Sequence, residues 1–187
     1  MKELSPAAPR ALLHTRRVEC TGWEREDGLF DVEGRMSDVR TRDQDGTRGN
    51  VPRLAGEPVH LMSLRLTLDE HFTIVAAEAC THQAPFADCG DVNDLYGRLV
   101  GLQIKGGLVK AVKERFSGHL GCTHLTELLG PMATTAFQAI GPAMELRRAQ
   151  RGEPMDDPKS AERLLDSCHG LRRGGHAAVV RWGARGA

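Results

Sequence analysis

The stretch "VHLMSLRLTLDEHFTIVAAEAC", residues 59–80, decides the fold class. Leu64, Leu66 and Leu68 alternate with other residues, and successive side chains of a strand point to opposite faces, so the three leucines share one face. "DEH" interrupts the alternation and "FTIVAAEAC" resumes it, which predicts a β-hairpin. Upstream, "RRVECTGW" and "GLFDVEGRMSDV" alternate in the same way on either side of Glu26-Asp27-Gly28, predicting an earlier hairpin. Between the hairpins lies "RTRDQDGTRGNVPRLAGEP", a polar, glycine-rich loop expected to be mobile or to act as a lid.

Downstream of Asp91 the period lengthens. Val92, Leu95, Tyr96, Leu99 and Val100 fall at helical spacing, with Asp91 as the N-cap and Gly101 as the stop. A short helix follows Gly106-Gly107, with Leu108, Val109, Val112 and Phe116 inward. The longest apolar stripe, from Leu125 through Leu128, Leu129, Met132, Ala136 and Phe137 to Ile140, predicts a four-turn helix. Pro131 is expected to kink or break it, because proline removes a ladder hydrogen bond. The tail "SAERLLDSCHGLRRGGHAAVVRW" reads as a short helix, a glycine turn and a final strand around 177–182.

The pattern predicts an α+β fold: an antiparallel sheet from the N-terminal hairpins with three or more helices packed on one face. The 187 residues suit a single domain. Residues 1–13 read as a flexible arm, 41–57 as the polar loop, and 141–160 as a connection to the C-terminal helix and strand.

Apolar residues at 40% and charged residues at 27% exclude a disordered chain. With 25 basic and 25 acidic residues the net charge is zero, so neither nucleic acid nor an anionic membrane is expected as a partner. No apolar run is long enough to span a membrane or serve as a secretion signal, which places the protein in the cytoplasm. The five cysteines, Cys20, Cys80, Cys89, Cys122 and Cys168, form an odd set without repeated spacing; this argues against a disulfide framework and leaves thiols for metal or redox chemistry. The arginine excess, which could suit anion recognition at His14, Arg16 and Arg17, is read as compositional.

The runs "LLHTRR", "GEPVHLMSLRLT", "GCTHLTELLGPMATTAFQ" and "DSCHGLRRGG" resemble a bacterial family known as domain of unknown function 2889, over nearly the whole chain. More distantly, residues 62–140 resemble iron-sulfur assembly proteins of the NifU/IscU and SufE type. That likeness implies a SufE/NifU-like sheet against helices, with Cys89 and Cys122 at the cluster-binding positions. It also departs from those proteins, since Gly121 stands where the scaffold has a histidine before its last cysteine.

Cys122 with His124 is the best local constellation, because thiolate and imidazole are the ligands of zinc and iron-sulfur sites and a helix start favours the thiolate. Cys89 is the expected third ligand and Cys168 or His169 the fourth; Cys20 and Cys80 are assigned to the core. The expected function is therefore metal, iron-sulfur or sulfur handling in an assembly or accessory role, with an iron-sulfur cluster or zinc as cofactor and a protein as partner. The alternative is a small enzyme, or enzyme accessory, of bacterial catabolism that uses Cys122 as an activated thiol and His124 or Glu127 as its base.

Overall fold

A computed structural model describes residues 4–154 and 160–183. The described residues up to Gly141 form one compact unit and those from Pro142 a second. In the first, β1 (His14–Glu24), β2 (Phe30–Arg40), β3 (Pro58–Leu68) and β4 (Ile74–Gln83) make an antiparallel sheet in the order β1-β2-β3-β4. This is the expected α+β layout.

Both predicted turns are built by their own residues. Gly28, at φ 88°, supplies a left-handed conformation that a side chain would resist. In the second turn the Asp69 carboxylate accepts hydrogen bonds from the backbone N–H groups of His71 and Thr73, which sustains the positive φ of Phe72. Alternation then sorts the faces. Phe30, Val32, Met36, Met62, Leu64, Leu66 and Leu68 point inward and are at most 2% exposed. Each such side chain contributes roughly 1.5–3 kcal/mol by leaving water. The opposite face carries a ladder of charges in which Arg65 pairs with Glu33 at 2.7 Å and Glu78 at 3.4 Å.

α1 (Leu108–Phe116) and α2 (Thr123–Gln150) follow the sheet. Leu125, Leu128, Met132, Ala136 and Ile140 of α2 are buried, as their spacing requires. The helix comes close to the strands where β1 and β2 carry glycine: a Cβ on Gly22 would lie 2.5 Å from Ala139 Cβ, and one on Gly34 would lie 2.6 Å from Met132 Sδ.

Several expectations need correction. The segment after Asp91 forms 3-10 turns over Asn93–Leu99, with Val92 rather than Asp91 at its start. Asn93, Asp94 and Gly97 are poor α-helix formers, although Tyr96 and Leu99 are fully buried as the spacing predicts. α2 runs through Pro131 without a break; Pro131 and Glu127, whose carbonyl loses its partner there, are both exposed. It also continues through Pro142 to Gln150, into what reads as a connection, because "AMELRRAQ" is rich in strong helix formers. Residues 155–159 of that expected connection lie outside the described residues.

In the second unit, α3 (Ser160–Leu164) is the predicted short helix. The expected final strand is instead α4 (His176–Trp182). Its alanines favour helix, Gly175 precedes it, and Gly183 at φ 64° closes it with a left-handed cap. Residues 4–13 have no regular structure and are exposed, and the 41–57 loop is held by a Gln44–Arg53 bridge and by Val51 N–H donating to the Pro85 carbonyl.

Candidate functional site

The site is built on one row across the inner face of the sheet. In the strand register Arg16 of β1 lies opposite Asp38 of β2, and Asp38 lies opposite His60 of β3. Asp38 keeps the inward parity of Phe30, Val32 and Met36, so its carboxylate is carried to the end of the core and is 1% exposed. A carboxylate there survives as an ion only with charged or hydrogen-bonding partners.

Those partners are present. Arg16 donates from Nε to Asp38 Oδ1 at 2.8 Å and from Nη2 to Oδ2 at 2.7 Å, a two-pronged pairing. His14 Nε2 is 3.0 Å from Oδ1. The other amino group of Arg16 reaches the Glu127 carboxylate on α2. His60 Nδ1 lies 3.0 Å from Asp38 Oδ2 and His124 Nε2 lies 3.9 Å from the same oxygen. The His60 nitrogen, although that close, is off the line of a hydrogen bond and has no aligned partner. The two imidazoles lie against each other with ring centroids 3.8 Å apart.

Burial alone would raise the Asp38 pKa, but hydrogen bonds from Arg16 and His14 outweigh it and hold the group at about 2. Burial and the neighbouring His124 lower the pKa of His60; burial and Arg16 lower that of His124. Both rings are thereby biased towards the neutral form, which has lone pairs to offer.

Cys122 adjoins this cluster. Its Sγ is 3.9 Å from His124 Nδ1 and 3.9 Å from Met62 Sδ. Its carbonyl accepts from Thr126 N–H, so it starts α2 as the sequence suggests. The backbone is fixed by Tyr96, whose hydroxyl accepts from Cys122 N–H at 3.1 Å, donates to the Cys122 carbonyl at 2.8 Å, and meets Thr126 Oγ1 at 2.8 Å. Tyr96 is fully buried and stacked on Phe116 at 4.6 Å. Replacing Tyr96 by phenylalanine strands these groups, and urea denaturation is expected to show a loss of about 2 kcal/mol.

The other predicted residues are distributed as follows. Cys89 sits half-buried in the 3-10 turn Ala87–Gly90; burial raises its pKa, and Cys122 is near enough to add to that rise. Cys168 is exposed in the second unit. Glu127 is exposed and turned to Arg16. Cys80, assigned to the core, is exposed instead, because its parity puts it on the outer face, 3.6 Å from His82 Nδ1. Among the described residues the group of three ligand atoms close enough to share an ion is Asp38, His60 and His124, and it contains no cysteine.

Sequence reading found His124 but missed Asp38 and His60. The available signal was an aspartate and a histidine at inward positions of two amphipathic strands.

No helix among the described residues is long and apolar enough to cross a membrane. No curated protein and no solved structure matches the chain. Residues 14–138, which hold both hairpins and every residue of the cluster just described, match the family model described as "Protein of unknown function (DUF2889)", and the chain belongs to that family.

Proposed function

We propose that the protein binds one divalent transition-metal ion through Asp38, His60 and His124. The observation that carries this reading is the convergence of a carboxylate oxygen and two imidazole nitrogens within 4.8 Å of one another. Ligands about 2.1 Å from an ion stand roughly 3.0–3.4 Å apart in octahedral or tetrahedral geometry. The separations of 3.0 and 3.9 Å from Asp38 Oδ2 bracket that span. Two imidazoles and one carboxylate suit Zn2+ or Fe2+ better than an iron-sulfur cluster, which takes sulfur ligands. Arg16 and His14 would orient the carboxylate, and Glu127 offsets the charge of Arg16.

Titration with Co2+, followed by calorimetry and visible absorption, tests this reading. One equivalent should bind, and His60→Ala and His124→Ala should each weaken binding by about 100-fold or more. Cys89→Ser and Cys122→Ser together should leave it nearly unchanged. The reverse pattern would overturn this ligand set in favour of the thiol set that the likeness to assembly proteins implies.

The depressed pKa values give the acid response a sign. For His60 and His124 the unfolded chain takes up protons before the folded one, so metal-free stability is full above the unfolded value of 6.5 and falls as the pH drops below it. For Asp38 the contribution is present above 3.8 and is lost as the pH falls towards about 2. That lower step is worth about 2 kcal/mol. Urea midpoints should hold from pH 8 to about 6.5 and decline below that towards pH 3, and a profile flat over the whole range would contradict the charge assignment.

A second reading shares His124. Its ring lies between Cys122 Sγ and Asp38 Oδ2, 3.9 Å from each, which supports a thiol assisted by an imidazole and a carboxylate. Selective alkylation of Cys122, suppressed in His124→Ala, would favour it over the metal reading.

A further inference from the structure

A groove of about 740 Å³ runs between α1 and α2, and none of the three proposed metal ligands is among its lining residues. Its floor is Val112, Phe116 and Leu129, each at most 5% exposed, and its walls include Val109 and Phe137, which are 64% and 39% exposed. A second hollow of about 430 Å³, lined by Thr73, Gln103 and other residues of the 101–111 segment, adjoins it, and Lys105, Gly106, Gly107 and Leu108 line both. Volumes of this size accommodate small ligands.

The charges around this double cavity are one-sided. Lys105 and Lys113 line the groove, and among the described residues no carboxylate is paired with either; the third lysine nearby, Lys110, has Glu114 at 4.0 Å. The one acidic residue among those lining the groove, Glu127, is turned to Arg16. An apolar channel thus opens beside a polar hollow with uncompensated positive charge.

We infer that this cleft binds a single-chain anionic amphiphile, an alkyl carboxylate or its equivalent, with the chain between α1 and α2 and the head at Lys105, the lysine common to both cavities, while Lys113 adds positive charge along the groove. α1 is nine residues, about 13 Å long, which matches a medium-length alkyl chain. A cationic head would meet the lysines unfavourably, and a neutral one would forgo the charge-assisted hydrogen bonds that they offer. The hollow accounts for the head and the buried floor for the chain; a continuous apolar partner would leave the hollow unused. The inference does not depend on the metal.

The test is calorimetric titration of the full chain with decanoate, below its micellar concentration and with a chelator present. Decanoate should saturate at one equivalent and bind about tenfold or more tightly than decyltrimethylammonium. The Lys105→Gln/Lys113→Gln double variant should lose that preference, and Ala133→Phe, which fills the groove, should lose binding of both. Circular dichroism of each variant checks its fold, and His60→Ala should retain decanoate binding even if it no longer binds Co2+. Unsaturable binding, equal affinity for the cationic amphiphile, or unchanged selectivity in a folded double-lysine variant would overturn the inference.

Discussion

Asp38→Ala is expected to lower the free energy of unfolding by about 3 kcal/mol and to abolish divalent-ion binding. The carboxylate is 1% exposed and holds β1, β2 and β3 together through Arg16, His14 and the neighbouring His60. Removing it leaves the Arg16 guanidinium and three imidazoles, those of His14, His60 and His124, facing a void where the charge stood. The cost stays at the lower end for a broken buried pair, because Arg16 is partly exposed and keeps Glu127. Urea denaturation at neutral pH, with and without added Zn2+, separates the two effects. Added metal should shift the wild-type midpoint upward and leave that of the variant where it is. A loss under about 1 kcal/mol would mean that the carboxylate is better solvated than its burial implies.

Gly22→Ala is expected to cost a similar amount, about 3 kcal/mol, by overpacking alone. The added methyl would sit 2.5 Å from Ala139 Cβ, and alanine has no rotamer with which to withdraw, so α2 itself must move away from β1. Gly34→Ala should cost less despite a comparable overlap, because the atom it meets is the flexible Met132 thioether. Adding Ala139→Gly to Gly22→Ala should recover most of the loss, less about 1 kcal/mol for glycine inside a helix. A double-mutant cycle by chemical denaturation measures this coupling, and additive effects would refute the contact.

Both hairpins were legible because a buried face imposes period two on the residues themselves: Leu64, Leu66 and Leu68 announce their strand, as Leu125, Leu128 and Met132 announce their helix. The tail was misread because Val179 and Val180 suggest a strand, whereas the glycines on either side and the adjacent alanines hold a short helix. The continuation to Gln150 was not legible because Pro142, Pro154 and Pro158 punctuate a charged segment, although the run of helix formers after Pro142 carries the helix on. The cluster at Asp38 was out of reach for a different reason. His14 and Arg16 are near neighbours on β1, but they are joined to residues 38, 60 and 124 by strand register and by the placement of α2, and no linear spacing connects those. Cys122 and His124 were found because two residues of separation at a helix start is a local signal.

β1, eleven residues long, is flanked by β2 on one side alone among the named strands. Its far margin therefore offers backbone donors and acceptors that another chain could adopt as a template. Arg16, Arg17, Glu19 and Glu24 lie along it, and a strand that carries both signs can meet an antiparallel copy of itself with opposite charges facing. The arginine that steadies the buried carboxylate thus also stands on the strand with the open margin, so that one residue links the interior of the sheet to its edge.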